Sequence, residues 1–309
     1  AIQGNSVLGT YSGAFAGWTT GAVSGTGSTT VTFTSTAAGN VADLSLTAGG
    51  VATTITPTQG VAAAGKAGVL GVAQGVVQIK DATYGTGTTN TITTASVDGY
   101  ATTKAATSFV KSDALSTLTL SNSAAAIDVY NNTATTLALN VNNVTAAVNL
   151  DTAVAKYTSL NVTTSGTDSA FALTGAAVTA LTLSGSKALD LTGSNLAALK
   201  TVTVSGSAGL TLNASGATVT DVNASGTSGN VTVTIDATKA TYEGGTGVDK
   251  VTTSAAAPSK AISLGDGNDT LTLANGTNAV TGAISGGNGT DTLSMVAADA
   301  VTASLTNTF

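Results

Sequence analysis

The chain has 309 residues, a formal net charge of −6 and only 8% charged residues, with 37 glycines, no cysteine and no histidine. This composition excludes a Ser-His-Asp triad, a cysteine nucleophile and a zinc site of the usual ligand types, and the acidic balance disfavours a nucleic-acid partner. No apolar run reaches the roughly 20 residues that a membrane-spanning helix needs. We therefore expect no nucleic-acid partner, no membrane insertion and no enzymatic activity.

Residues 1–112 form an irregular region that is rich in β-type residues. Strand-like pieces lie at Val31–Phe33, Leu44–Leu46 and Val77–Ile79, and glycine-rich loops separate them. These pieces do not keep the period that follows. The region is therefore either a set of irregular early coils or a separate β-domain, with a boundary near Ser112.

Residues 113–242 carry two interleaved series of apolar-x-apolar triplets. The first series keeps four consecutive steps of 21 residues, and its triplets begin at Leu118, Leu139, Leu160, Leu181 and Val202. The second series is less regular, with triplets that begin at Ile127, Val148, Phe171, Leu189, Leu210 and Val231. Both series continue downstream with looser spacing, so two short strands fall in each of about nine repeats.

This repeat predicts an all-β fold, a parallel β-solenoid with about 21 residues per coil. Short strands cannot bury an apolar face alone, but stacked coils place equivalent leucines and valines in continuous inward ladders. The outward positions between them, such as Thr119 and Asn140, are polar and can hydrogen-bond along the stack. An antiparallel sandwich is the alternative, and it gives no reason for a constant step of 21.

Three copies of a nonapeptide rich in glycine and aspartate follow residue 243. Gly244–Thr252 and Gly286–Ser294 match the calcium-binding pattern G-G-x-G-x-D-x-U-x throughout, and Leu264–Thr272 departs from it only at its first residue. The copies are 20 and 22 residues apart. Isolated hairpin turns, the alternative, would explain neither the three copies nor the aspartate two places after the glycine. The same turn in earlier coils keeps Gly185 or Gly206 but has no aspartate, so we expect no calcium there.

These residue types suit Ca²⁺. Glycines bring backbone carbonyls close together, aspartates add anionic oxygens, and calcium takes six to eight oxygens at about 2.3–2.6 Å. One turn supplies too few, which predicts one ion between residues 244–249 and 264–269 and a second between 264–269 and 286–291. Three aspartates, Asp249, Asp269 and Asp291, would supply the main carboxylates. The whole candidate ligand set is Asp249, Asp266, Asp269, Asp291, Gly245, Gly247, Gly265, Gly267, Gly287, Gly289, Thr246 and Asn288.

The nonapeptides, preceded by Thr-, Ala-, Ser- and Gly-rich coils such as Leu181–Gly185, resemble the RTX-type S-layer proteins of Gram-negative bacteria. The resemblance covers residues 113–309 by motif and 1–112 by composition. It implies type I secretion, folding outside the cell on meeting calcium, and calcium-dependent self-assembly into a lattice on the cell surface. No secretion signal or anchoring domain follows the third nonapeptide. We therefore expect a larger protein, in which a region outside this chain contacts any cell-surface polysaccharide.

Together these observations predict three segments and one leading function. Residues 113–242 would be calcium-free solenoid coils and 243–309 calcium-binding coils, after the irregular region 1–112. The leading function is a structural surface-layer protein that forms a calcium-dependent two-dimensional lattice. An RTX-type adhesin or another secreted calcium-binding solenoid is the alternative. A polysaccharide-acting β-helix enzyme comes third, because the ten lysines are scattered rather than clustered with acids.

Overall fold

The computed structural model describes residues 75–86, 89–101, 107–216, 218–254, 258–274 and 280–295, together with the backbone of four earlier strands. Every regular element in this part of the chain is a β-strand, as a composition of Thr, Val, Ser and Leu with few helix-forming charged residues favours. The chain divides into two compact units, residues 1–156 and 157–309.

The first unit contains two sheets. Its strands are β1 (Trp18–Thr20), β2 (Val31–Ser35), β3 (Leu46–Ala48), β4 (Ile55–Thr58), β5 (Gln78–Asp81), β6 (Thr94–Asp98), β7 (Ser108–Lys111), β8 (Thr117–Ser123), β9 (Ile127–Tyr130), β10 (Thr136–Val144) and β11 (Val148–Asn149). One sheet runs β1-β2-β4-β6-β8-β10 and the other β11-β9-β7-β5-β3. β1 pairs antiparallel with β2, and the other pairs are parallel. The first unit is thus a β-solenoid with an irregular start.

Register in the first unit confirms the 21-residue step. Leu139 lies opposite Leu118 in β8–β10, and both side chains are fully buried. On the outer face, Asn140 Nδ2 donates a 3.2 Å hydrogen bond to Thr119 Oγ1, so the predicted polar ladder is present here. β6 is in register with β8 as well, and residues before 112 therefore contribute coils to this stack.

A left-handed backbone position recurs at one corner of the first unit. Gly99, Asn122 and Asn143 occupy this position in successive coils, with φ of 64°, 52° and 55°. Asparagine tolerates this conformation better than most residues with a Cβ. The carboxylate of Asp98 accepts a 2.7 Å hydrogen bond from Asn122 Nδ2, which holds the first amide of the corner in place.

The second unit also contains two sheets. Its strands are β12 (Ser159–Thr164), β13 (Ser169–Ala170), β14 (Leu173–Thr174), β15 (Ala180–Gly185), β16 (Leu189–Asp190), β17 (Thr201–Gly206), β18 (Leu210–Ala214), β19 (Asp221–Thr227), β20 (Val231–Ile235), β21 (Thr241–Glu243), β22 (Lys250–Thr253), β23 (Ile262–Ser263), β24 (Thr270–Thr272), β25 (Ile284–Ser285) and β26 (Thr292–Ser294). One sheet runs β12-β15-β17-β19-β21-β23-β25, and the other runs β13-β16-β18-β20-β22-β24-β26. All of these pairs are parallel, so the second unit is a β-solenoid too.

The inward ladders of the second unit follow the predicted repeat. Leu181 lies opposite both Leu160 and Val202, and all three side chains are at most 1% exposed. Burying a side chain of this size contributes roughly 1.5–3 kcal/mol to stability. The ladders continue into the three nonapeptide coils, where β23 pairs with β25 and β24 with β26. Stacking of equivalent apolar residues therefore holds the acidic coils in line with the plain ones.

One coil has a different register from the one that the spacing of the triplets predicts. The repeat pattern places the triplet Phe171–Leu173 opposite Leu189, whereas the structure places Ser169 there. A shift of two residues keeps the same side chains facing inward, so alternation alone cannot distinguish the two registers. Phe171 is nevertheless buried, and its amide donates to the Asp190 carbonyl at 2.9 Å.

Candidate metal centre

The three nonapeptides occupy one corner of three successive coils in the second unit. Each begins beside the last residues of β21, β23 or β25 and runs into β22, β24 or β26. The parallel pairs β21–β23–β25 and β22–β24–β26 put equivalent positions one coil apart. The predicted stacking of the motifs is therefore present.

Glycine is required where successive turns meet. Gly265 and Gly267 have φ of 92° and 144°, a region that L side chains rarely adopt. A Cβ on Gly265 would overlap the carbonyl oxygen of Gly245, and a Cβ on Gly267 would overlap that of Gly247. The carbonyls of the first turn thus face the second turn closely.

The third turn repeats this arrangement. Gly287 and Gly289 have φ of 94° and 137°, and a Cβ on either would overlap the carbonyl oxygen of Gly265 or Gly267, respectively. Backbone oxygens are therefore directed between coils at both junctions, where those of Gly245 and Gly265 accept the amides of Asp266 and Asn288 at 2.8 and 3.1 Å. A carbonyl oxygen has a second lone pair, and carbonyl oxygen is a donor type that calcium takes.

The motif aspartates stand in the inward ladder. Asp249 lies next to Val231 in register, and the ladder continues back through Leu210 and Leu189. Asp269 and Asp291 follow in the next coils. We call Asp249, Asp269 and Asp291 the aspartate column. Carboxylates thus occupy positions that the plain coils fill with aliphatic side chains.

Backbone amides hold the column together. Asp249 accepts a 3.0 Å hydrogen bond from the amide of Val231 through Oδ1. The amide of Asp249 donates to Asp269 Oδ1 at 2.7 Å, and that of Asp269 donates to Asp291 Oδ1 at 3.0 Å. Each carboxylate therefore completes the backbone bonding of the coil before it.

Burial makes the ionised form of the column unfavourable. Asp249 and Asp269 are both 0% exposed. Desolvation raises the pKa of Asp249 to about 6, and desolvation together with the charges of Asp291 and Asp266 raises the pKa of Asp269. A cation within reach would reverse this effect by stabilising the charged carboxylates.

One oxygen of the column has no partner. Oδ2 of Asp269 is buried and accepts no hydrogen bond. A buried anionic oxygen left in this state is costly unless a proton or a cation compensates it. Because the neighbouring turns direct carbonyl oxygens between the coils, the residues here fit a calcium ion in donor type.

Carboxylates alone do not build the site. Among the described residues, no three acidic side chains converge on one point where they would hold a metal. Asp266 is exposed, and its Oδ1 instead accepts a 2.7 Å hydrogen bond from Asn288 Nδ2. Thr246 is exposed at the equivalent place in the first turn. The structure thus brings together the column and the glycine carbonyls, while these three side chains lie on the outside.

The sequence interpretation missed Tyr242, Asn230 and Asn268. Tyr242 donates a 2.8 Å hydrogen bond to Asp249 Oδ2 from the apolar core. Asn230 and Asn268 accept the amides of Val248 and Thr290 at 2.9 and 2.8 Å. A usable signal existed for Tyr242, since it is an aromatic residue in a ladder that otherwise holds Val222 and Ile262.

No family model, no curated protein and no solved structure matches the chain. In the described part of the chain, no helix has the length and hydrophobicity to cross a membrane.

Proposed function

We propose that this chain is a calcium-binding structural protein of a bacterial surface layer. The observation that carries the proposal is the buried column, in which Asp269 Oδ2 lacks a partner beside turns that direct glycine carbonyls between coils. Calcium would be held between coils by the carboxylate of Asp269 together with these carbonyls. When bound, it would supply the positive charge that buried carboxylates need.

Calcium would act as a stabiliser of folding rather than as a reagent. A ligand that binds the folded chain alone stabilises it by about 2.7 kcal/mol at 100 times its Kd. Extracellular calcium modules bind at about 10⁻⁴–10⁻³ M, so calcium outside a cell would complete the last coils. The proposed location is therefore the cell surface, after secretion, and the proposed role involves no catalysis.

Self-association is the second part of the proposal. Outward positions of the solenoid carry short neutral side chains at regular spacing, as in the Asn161–Thr182–Thr203 row of the second unit. Such rows present neutral hydrogen-bonding groups at a constant spacing of one coil, and we propose that they pack against other copies of the chain. The partner we propose is the chain itself.

The test is to follow thermal unfolding and particle growth of the chain across a calcium series, with magnesium as the control. Calcium-specific stabilisation with sheets visible by electron microscopy, and dissolution of those sheets by a chelator, is the expected result. Stabilisation without assembly would favour an adhesin or another secreted solenoid. A chain that does not respond to calcium would refute the proposal.

A further inference from the structure

The three aspartates of the column differ in how many of their oxygens are already hydrogen-bonded. Asp249 Oδ1 accepts the amide of Val231 at 3.0 Å, and its Oδ2 accepts the hydroxyl of Tyr242 at 2.8 Å. A backbone hydrogen bond from Gly245 adds to these two. Asp249 is therefore satisfied on both oxygens by the protein itself.

Asp269 is equally buried, but the protein hydrogen-bonds only one of its two carboxylate oxygens. Its Oδ1 accepts the amide of Asp249 at 2.7 Å, but its Oδ2 has no partner. Asp291 is half-buried, and its Oδ1 accepts the amide of Asp269 at 3.0 Å. The buried oxygen without a partner thus belongs to the second nonapeptide and not to the first.

Tyr242 is the residue that creates this difference. It stands in the ladder between Val222 and Ile262, and its side chain is 1% exposed. Neither aliphatic neighbour has a polar group to offer an aspartate. Most buried tyrosine hydroxyls have a hydrogen-bond partner, and for Tyr242 this partner is Asp249 Oδ2. A hydrogen bond between the Tyr242 hydroxyl and the Asp249 carboxylate therefore lies where the apolar coils end and the acidic coils begin.

We infer that Tyr242 withholds Asp249 from the metal, so that the first nonapeptide caps the acidic column and calcium binds only between the second and third. This inference rests on the proposal that these coils bind calcium, and it changes the expected number of ions from two to one. Tyr242 acts on the metal through Asp249 and is thus a positioning residue.

The first experiment compares calcium stoichiometry by isothermal titration calorimetry in the wild-type chain and in Tyr242→Phe. Phenylalanine keeps the ring in the core but removes the hydroxyl that donates to Asp249 Oδ2. We expect one ion in the wild type and two in the variant. Tyr100→Phe is the control, because Tyr100 is a fully buried tyrosine of the first unit, and it should leave one ion.

The second experiment compares Asp249→Asn with Asp269→Asn by the same titration, with circular dichroism to verify folding. Asp249→Asn should keep the wild-type calcium affinity, whereas Asp269→Asn should leave no calcium binding that the titration detects, because the number of charged ligands sets calcium affinity. Two ions in the wild type, or equal losses in both variants, would overturn the inference while leaving calcium binding intact. A wild-type chain that binds no calcium would instead refute the proposed function.

Discussion

The amide of Asp249 donates a 2.7 Å hydrogen bond to Oδ1 of Asp269, one coil further along the chain. A side-chain oxygen therefore accepts here the amide hydrogen bond that a backbone carbonyl accepts elsewhere in a sheet. The other oxygen of the same carboxylate is buried and has no hydrogen-bond partner. One residue thus links the backbone of the solenoid to the candidate metal centre.

We predict that Asp269→Asn abolishes calcium-dependent stabilisation. Asparagine keeps an oxygen for the Asp249 amide but removes the charge that a cation would neutralise. The unfolding temperature of the variant should be the same with calcium and with chelator, as measured by circular dichroism. Asp190→Asn is the matched control from a plain coil, where the carboxylate accepts from Thr192, and it should keep the wild-type response. A calcium response that survives in Asp269→Asn would refute the role of this oxygen.

We predict that the calcium-free chain loses stability as pH rises from about 4 to about 6. The pKa of Asp249 is about 6 in the folded chain against an ordinary value of 3.8, so the folded state binds the proton more tightly and is favoured at low pH. Asp269 and the Tyr242 hydroxyl face this group, and the raised pKa of Asp269 acts in the same direction.

Urea unfolding in chelator at a series of pH values measures this effect. The hydrogen-bonded carboxylates Asp81 and Asp236 have lowered pKa values, so their stabilising contributions are lost progressively as pH falls from about 5 and oppose the effect only at the acid end of the window. Asp249→Asn should flatten the decline between pH 4 and 6. A stability that increases across this interval would contradict the prediction.

We predict that Gly267→Ala destabilises the second unit. The backbone there has φ of 144°, and an added Cβ would overlap the Gly247 carbonyl oxygen. Strain of this kind costs about 1–3 kcal/mol, and the displaced carbonyl should also weaken calcium binding. Gly216→Ala is the control, because its Cβ would meet only Val219 at 3.9 Å. Equal unfolding midpoints in urea for the two variants would show that the junction tolerates a side chain.

We predict that Asp81→Ala destabilises the first unit without changing the calcium response. Asp81 is 1% exposed and accepts the amides of Thr83, Thr91 and Ile92 at 3.0, 2.6 and 2.8 Å. Alanine would leave these amides without their acceptor, at about 1–3 kcal/mol for each one that stays buried. Differential scanning calorimetry with and without calcium should show a lower unfolding temperature and an unchanged calcium increment. A reduced increment would contradict the separation of the two effects.

The solenoid was readable from the sequence because one rule governs every coil. Equivalent leucines such as Leu160 and Leu181 must stack, so the spacing of apolar triplets reports the register directly. Phe171 was misplaced because a two-residue offset leaves the inward pattern unchanged. The left-handed corner at Asn122 was not foreseen, since several residue types accept that backbone and no spacing marks it.

The candidate site was only partly readable. The nonapeptides predicted the glycine turns and the aspartate column, because closely packed turns require glycine at defined positions. The sequence did not reveal that Asp249 and Asp269 differ, since both stand at the same place in the motif. Their difference comes from Tyr242, which lies outside the nonapeptide and reaches Asp249 only through the fold.

The hydrogen bonds of the aspartate column all have the same direction, with each amide donating to the carboxylate of the following coil. This gives the stack a polarity. Loss of any one coil deprives its predecessor of an acceptor, but not its successor. Fraying that starts at the third nonapeptide should therefore proceed toward the first in order, and it should halt at Asp249, whose carboxylate the hydroxyl of Tyr242 still holds.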